Sequence, residues 1–423
     1  MVRLSDAIAK IEEGNVSTGL DMLKEMATKA NDDLLIEIAE TYVHLGLLED
    51  ALYLLDQLLQ KYPDHGELRI LTAECLIDLD KEDKAIQYLN RIDETDEHYL
   101  NALLLLADLY QSQGLEEVAE QKLLRASRIS PDEPVISYAL AEFYLSQGRV
   151  HQAIPFYEKI LDEPGIDLPI ESIMVNYAEA LSMNGDFEKA LSYYEKGLKK
   201  QPLLDHLFKY GYTALRAEQF EKAIEAFEKL RTIDPHYATL YPHLASAYEA
   251  IGALDEAMDA LESGMKVDEV NDELYYFAAK LSLKLGNRDQ AKTLLKKTLT
   301  LNPESTKANH MLLSILKQEK RDREVIDHIL QLKDSGEDDP SFEWDLADAY
   351  HSLEEYELAR NHYENAYAFF KEDAQFLAQY GHFLLEEGDH KKALKHFRKA
   401  LEMEGHREDL HELVAALEER EWD

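Results

Sequence analysis

Apolar residues along this chain fall into two alternating stripes of helical spacing, and the pair of stripes returns every 34 residues. The stretch Leu103–Pro131, LLLLADLYQSQGLEEVAEQKLLRASRISP, shows the pattern most plainly. Leu103, Leu106, Ala107 and Tyr110 stand at i, i+3, i+4 and i+7 and form one face of a helix. Gly114 stops that helix, because glycine enters the left-handed backbone region without a steric penalty. Ala119, Leu123 and Ala126 make the stripe of a second helix, and Pro131 bars its continuation.

A small residue in the second helix marks the register. It recurs as Ala51, Ala85, Ala119 and Ala153, then after one longer step as Ala190, Ala223, Ala257, Ala291, Val325, Ala359 and Ala393. The turn glycine returns as Gly46, Gly114, Gly148, Gly185, Gly252, Gly286 and Gly388, and the closing proline as Pro63, Pro131, Pro202, Pro235 and Pro303. Small residues, an aromatic and a closing proline at fixed offsets in a 34-residue period are the tetratricopeptide signature. The chain resembles the tetratricopeptide repeat family over nearly its whole length. That resemblance implies an all-α fold, a right-handed superhelical α-solenoid of about twelve helix pairs, closed by a polar capping helix over Glu408–Glu421.

Some copies depart from the pattern. Repeat one (2–31) carries Gly19 where alanine is usual, repeat three (66–99) has Asp80 in place of the turn glycine, and repeat ten (306–339) has Lys320 there. The longer step lies in DEPGIDLP, 162–169, whose prolines and glycine predict a loop; a hinge and a silent insertion both remain open. A second polar loop, DSGEDDP, ends repeat ten. These joints divide the chain into an N-terminal segment (1–167, repeats one to five), a central segment (168–339, repeats six to ten) and a C-terminal segment (340–423).

Composition narrows the function classes. The formal net charge of −40 repels phosphate backbones, so nucleic acid is not an expected partner, and no membrane partner is expected either. The amino terminus, MVRLSDAIAKIEEGN, has no apolar core run and does not read as a signal peptide, and no apolar run reaches membrane-spanning length. A cytoplasmic location is expected, and the acidic character resembles that of cytosolic repeat proteins of Bacillus-type bacteria. The single cysteine, Cys75, excludes an internal disulfide and reads as a small buried hydrophobe. There is no phosphate-binding glycine loop, no His-Glu-x-x-His and no cysteine–histidine cluster, so no catalytic residue, cofactor or metal is expected.

In the resembling family the first helices of successive repeats line a concave groove that receives partner segments. The residue after the small packing residue of each first helix is expected to face it. In repeats two to six this is Glu40, Glu74, Asp108, Glu142 and Glu179, after which the series breaks. Like charges in a row raise the cost of ionising one another, and a basic segment laid along them relieves it. Asn176 and Tyr138 are placed to add a hydrogen bond and an aromatic contact. In repeats seven to ten the groove is expected to be basic and aromatic, with Lys209, Arg216, Lys280, Lys284, Lys307 and Lys317 facing inward beside Tyr276 and Phe277. The lysine and asparagine clamp by which some family members grip an acidic chaperone tail has no matching residue set in adjacent repeats. The function expected is a non-enzymatic scaffold or adaptor that holds a protein partner by a basic segment. The alternative is a chaperone-like or regulatory inhibitor that masks the basic surface of a single partner. A homodimer is left open.

Overall fold

The computed structural model describes residues 4–163, 165, 167–199, 203–404 and 406–420. Pro164 and Ile166 of the 162–169 loop, Pro202 and Glu421 lie outside the described residues, as do the first residues of repeat one. Helices are the regular elements throughout the described residues, and they come in the expected pairs followed by one unpaired helix. The chain divides into two compact units, Met1–Leu230 and Arg231–Asp423.

The first unit contains α1 (Leu4–Glu12) and α2 (Val16–Ala27), α3 (Asp32–His44) and α4 (Leu48–Lys61), and α5 (Gly66–Asp78) and α6 (Glu82–Leu89). It continues with α7 (Tyr99–Ser112) and α8 (Glu116–Ile129), α9 (Pro134–Ser146) and α10 (Val150–Leu161), α11 (Ile170–Asn184) and α12 (Phe187–Gly197), and α13 (Leu204–Arg216). The division falls near the end of α14 (Phe220–Ile233). The second unit contains α15 (Leu240–Ala250) and α16 (Leu254–Val267), α17 (Asp272–Lys284) and α18 (Arg288–Leu301), and α19 (Thr306–Gln318) and α20 (Asp322–Asp334). Then come α21 (Ser341–Ser352) and α22 (Tyr356–Phe370), α23 (Ala374–Glu386) and α24 (His390–Met403), and the last helix, α25 (Glu408–Arg420).

Within each unit, helices pack on their sequence neighbours, and first helices of adjacent repeats touch, as α3 does α5 and α5 does α7. The small markers are where this happens. Ala51, Ala85, Ala119, Ala153 and Ala190 are wholly buried in the first unit, and Ala257, Ala291, Ala359 and Ala393 in the second. Gly19 stands at the marker position of repeat one because a Cβ there would lie 2.4 Å from Ile11 Cγ1 and 2.7 Å from the Ala7 carbonyl oxygen of α1. Size is also traded between the helices of a pair. Gly211 on α13 faces Phe227, and Gly381 on α23 faces Phe397, where most other repeats place alanine against a smaller side chain or a tyrosine. The last helix, α25, packs on α24 and buries Leu410 and Leu417.

The turns explain the departures from the glycine pattern. Gly46 has φ 72° and the following Leu47 N–H returns to the Tyr42 carbonyl at 2.8 Å, a Schellman-type closure. Asp80 and Lys320 adopt the same left-handed backbone at φ 55°, and their successors Lys81 and Arg321 make the same bond, to Leu76 and Leu316. Glu218 and Glu354 do likewise in repeats seven and eleven. A side chain in this region carries a penalty of about 1 kcal/mol. Lys320→Gly is therefore expected to raise the stability of the second unit by up to about that amount. A urea titration checks it, and a lowered midpoint would show that the Lys320 side chain contributes more than its backbone strain costs.

Candidate partner-binding surface

The five ladder residues occupy one position on five consecutive first helices, α3, α5, α7, α9 and α11, each next to a buried alanine. The structure splits them into two groups. Glu142 Oε1 accepts a hydrogen bond from the Tyr157 hydroxyl at 2.5 Å and another from Asn176 Nδ2 at 2.8 Å. Tyr157 is fully buried, and burial followed by the Glu142 charge pushes its phenol up. Tyr157, Glu142 and Asn176 form one hydrogen-bonded network, and burial and then the Glu142 charge raise the Tyr138 phenol nearby. Glu179 Oε2 accepts from Lys209 Nζ at 2.6 Å, and the buried Tyr194 feels its charge. These two acids join neighbouring helices and repeats inside the protein.

Glu40, Glu74 and Asp108 differ. Among the described residues none of the three side chains has an ion-pair or hydrogen-bond partner. Asp108 is exposed and the other two are half-buried. The Glu74 carboxyl is raised, first by burial and then by the like charge of Asp78 one turn along α5. For Glu142 part of the difference lies on the second helix, which supplies Tyr157, whereas the partner of Glu179, Lys209, comes from α13. Fifteen residues after Glu142 and Glu179 stand Tyr157 and Tyr194, whereas the same offset from Glu40, Glu74 and Asp108 gives Leu55, Leu89 and Leu123. Asp348 and the buried Tyr363 repeat the same offset in the second unit, but the Tyr363 hydroxyl is buried there without a hydrogen-bond partner among the described residues, and burial raises the Asp348 carboxyl. This offset is legible in the sequence, but the ladder alone does not draw attention to it.

The expected basic positions also separate. Lys209 is bound to Glu179, Lys284 pairs with Glu249, Lys317 pairs with Asp345, and Arg216 lies over the Phe187 ring at 5.3 Å. Lys280 and Lys307 have no such partner among the described residues. Phe277, 39% exposed, and Lys280 line a cavity of about 250 Å³ with His243, Ser246, Glu249 and Glu273. Tyr276 is half-buried against the core and its ring meets Phe277 at 6.0 Å. Two further cavities arise where first helices meet. One of about 380 Å³ in the first unit is lined by Met183, Phe187, Phe208, Tyr212 and Arg216. Another of about 540 Å³ in the second is lined by His310, Lys317, Trp344, Asp345, Phe370 and Gln379. Trp344 is half-buried, packs on Phe370 and Phe376, and donates from Nε1 to Gln379 Oε1 at 2.5 Å. Their walls come from helices about one repeat apart, so no contiguous motif announces them.

Cys75 is wholly buried and its thiol is pushed up to about 11, chiefly by burial. His396 lies against the Tyr367 and Tyr380 rings and is held down to about 4 by burial and then by neighbouring lysines. Both are core groups rather than reactive ones. Among the described residues no group of three histidine, cysteine or acidic side chains is arranged to hold a metal, and no helix is long and apolar enough to cross a membrane.

Stacked helix pairs with a charged first-helix face define a repeat scaffold for protein–protein interaction. Two YpiA-like tetratricopeptide models match residues 111–164 and 340–406, and general tetratricopeptide models match 48–109, 178–238, 214–281 and 272–305. The TPR repeat-containing protein YpiA of Bacillus subtilis (strain 168) is 40% identical over 416 residues, 98% of each chain. This chain belongs to the tetratricopeptide repeat family. Among solved structures it is similar to YrrB, described as a TPR protein with an unusual peptide-binding site, at 18% identity and a TM-score of 0.39 over 45% of this chain and 96% of that one. It is also similar to a chain of the APC/C Cut9–Hcn1 hetero-tetramer, at 15% identity and a TM-score of 0.33 over 97% of this chain and 95% of that one.

Proposed function

We propose that this protein is a non-enzymatic adaptor that holds a partner protein by a basic segment laid along the first helices of repeats two to four. The observation that carries the reading is the absence of any internal partner for Glu40, Glu74 and Asp108 among the described residues, on touching helices α3, α5 and α7, while Glu142 and Glu179 are used within the fold. Carboxylates with no internal counter-charge are stabilised by an arriving cation. Lys or Arg residues of an extended or helical segment meet that need, and binding weakens with added salt because the sites are solvent-accessible.

The test is fluorescence anisotropy with a labelled lysine-rich peptide at low and high salt. The triple variant E40Q/E74Q/D108N is expected to bind about tenfold more weakly, which corresponds to about 1.4 kcal/mol spread over three accessible charge contacts. Its unfolding midpoint should stay equal or rise. Unchanged affinity would reduce these residues to a solvated face. A partner whose own activity is blocked on binding, and which leaves no other surface of the protein able to bind, would favour the masking role over the adaptor role.

A further inference from the structure

The second unit contains a surface of opposite character. Where α17, the start of α18 and α19 meet, a cavity of about 520 Å³ is lined by Leu283, Arg288, Lys307, His310, Met311, Ser314, Ile315 and Gln318. No aspartate or glutamate lines it, in a chain with 85 acidic residues and only 45 lysines and arginines. Three of the basic positions, Lys209, Lys284 and Lys317, are paired within the fold with Glu179, Glu249 and Asp345. Arg288 and Lys307 are exposed and, among the described residues, have no ion-pair or hydrogen-bond partner. His310 lies near enough to Asp339 to help hold that carboxyl down, after the hydrogen bonds from Ser341. The cavity shares His310, Ser314 and Gln318 with the neighbouring one of about 540 Å³, whose far wall carries Trp344 and Phe370 together with two acids, Asp345, which is paired with Lys317, and Asp348. A cationic end thus runs into an aromatic shelf within one unit.

We infer that this continuous groove binds an acidic peptide segment of a second partner, with carboxylates against Arg288 and Lys307 and an apolar side chain toward Trp344 and Phe370. The guanidinium can hold a carboxylate in bidentate fashion, Lys307 adds a point charge, and the exposed Ser314 hydroxyl and Gln318 amide offer hydrogen bonds to a peptide backbone. Charge complementarity selects the class of ligand. A basic segment would meet two unpaired cations, whereas an acidic one would neutralise them. The inference does not rest on the ladder of the first unit. If both hold, one chain carries two surfaces of opposite charge preference, which is what bridging two different partners requires.

The test uses the full chain and two labelled peptides, Glu-Glu-Phe-Glu-Glu and Lys-Lys-Phe-Lys-Lys, in anisotropy titrations at low and high salt. The acidic peptide is expected to bind, and R288Q/K307Q to weaken it by about tenfold. K24Q/K391Q, which removes the same charge from exposed lysines outside the groove, should leave it unchanged. W344A should weaken the acidic peptide but have less effect on an all-glutamate control lacking the phenylalanine. Circular dichroism confirms that each variant is folded. No binding of the acidic peptide at low salt, or equal binding to R288Q/K307Q, would overturn the inference. So would a concentration-dependent dimer in sedimentation velocity that R288Q/K307Q dissolves, because the occupant would then be a second copy of this chain. E40Q/E74Q/D108N should alter only the basic peptide, so the two surfaces fail or succeed separately.

Discussion

Ala119→Arg is expected to destabilise the first unit by about 3 kcal/mol or more. Ala119 on α8 has no exposed surface and belongs to a buried cluster with Leu103, Ala107, Leu140 and Ala141. An arginine there must displace packed side chains, which by itself costs about 1–3 kcal/mol, and it must also bring a charge into an apolar cluster. Stability in a repeat array is a sum of repeat and neighbour terms, so damage to one interface also weakens its neighbours. Glu117→Arg, on the same helix but exposed, is the control and should shift stability by no more than about 0.5 kcal/mol. Thermal and urea unfolding report the difference. Equal midpoints for the two variants would mean that the repeat register is misplaced.

Glu142→Ala is expected to cost about 1–3 kcal/mol, while Asp108→Ala is neutral or stabilising. The two residues hold the same position in adjacent repeats, and sequence gives no reason to treat them differently at that position. The distinction is that Glu142 accepts from Tyr157 and Asn176, so its removal strands a buried tyrosine hydroxyl and an amide. Asp108 has no such partner among the described residues, so its removal strands no polar group. A double-mutant cycle sharpens the test. Tyr157→Phe in the Glu142→Ala background should recover part of the loss, because the stranded hydroxyl is then gone. Equal effects of Glu142→Ala and Asp108→Ala would show that the network does not contribute to folding.

The fold was legible at the level of particular residues. The stripe Leu103, Leu106, Ala107 and Tyr110 makes a helix wherever it occurs, since its spacing is that of the helix itself. Ala119 and its counterparts mark the places where two helices approach closely, because a larger side chain at that interval would hold the helices apart. The four turns without glycine were only half visible. Asp80 and Lys320 stood out because the repeats around them were weak, whereas Glu218 and Glu354 lay in repeats whose other markers were intact. The candidate site was less legible. The sequence placed the five acids on one face but did not say which had neighbours to bind. Phe277 and Lys280 share a cavity as their spacing implied, yet Arg288 and His310 belong to no series, so the repeat pattern does not single them out.

By itself the sequence determined the helix pairs, their period, the turns and the overall excess of negative charge. These depend on interactions within a few residues, or on simple counting, and local chemistry suffices for both. Only the tertiary structure decided which charges remain available. Glu142 is bound by a tyrosine fifteen residues on and an asparagine one repeat on, Glu179 by a lysine thirty residues on, and Glu40, Glu74 and Asp108 by nothing among the described residues. Whether a carboxylate is part of the fold or open to a partner is set by what the next helix and the next repeat bring within hydrogen-bond distance. That depends on how helices stack, and stacking brings together side chains that the linear pattern keeps a full repeat apart.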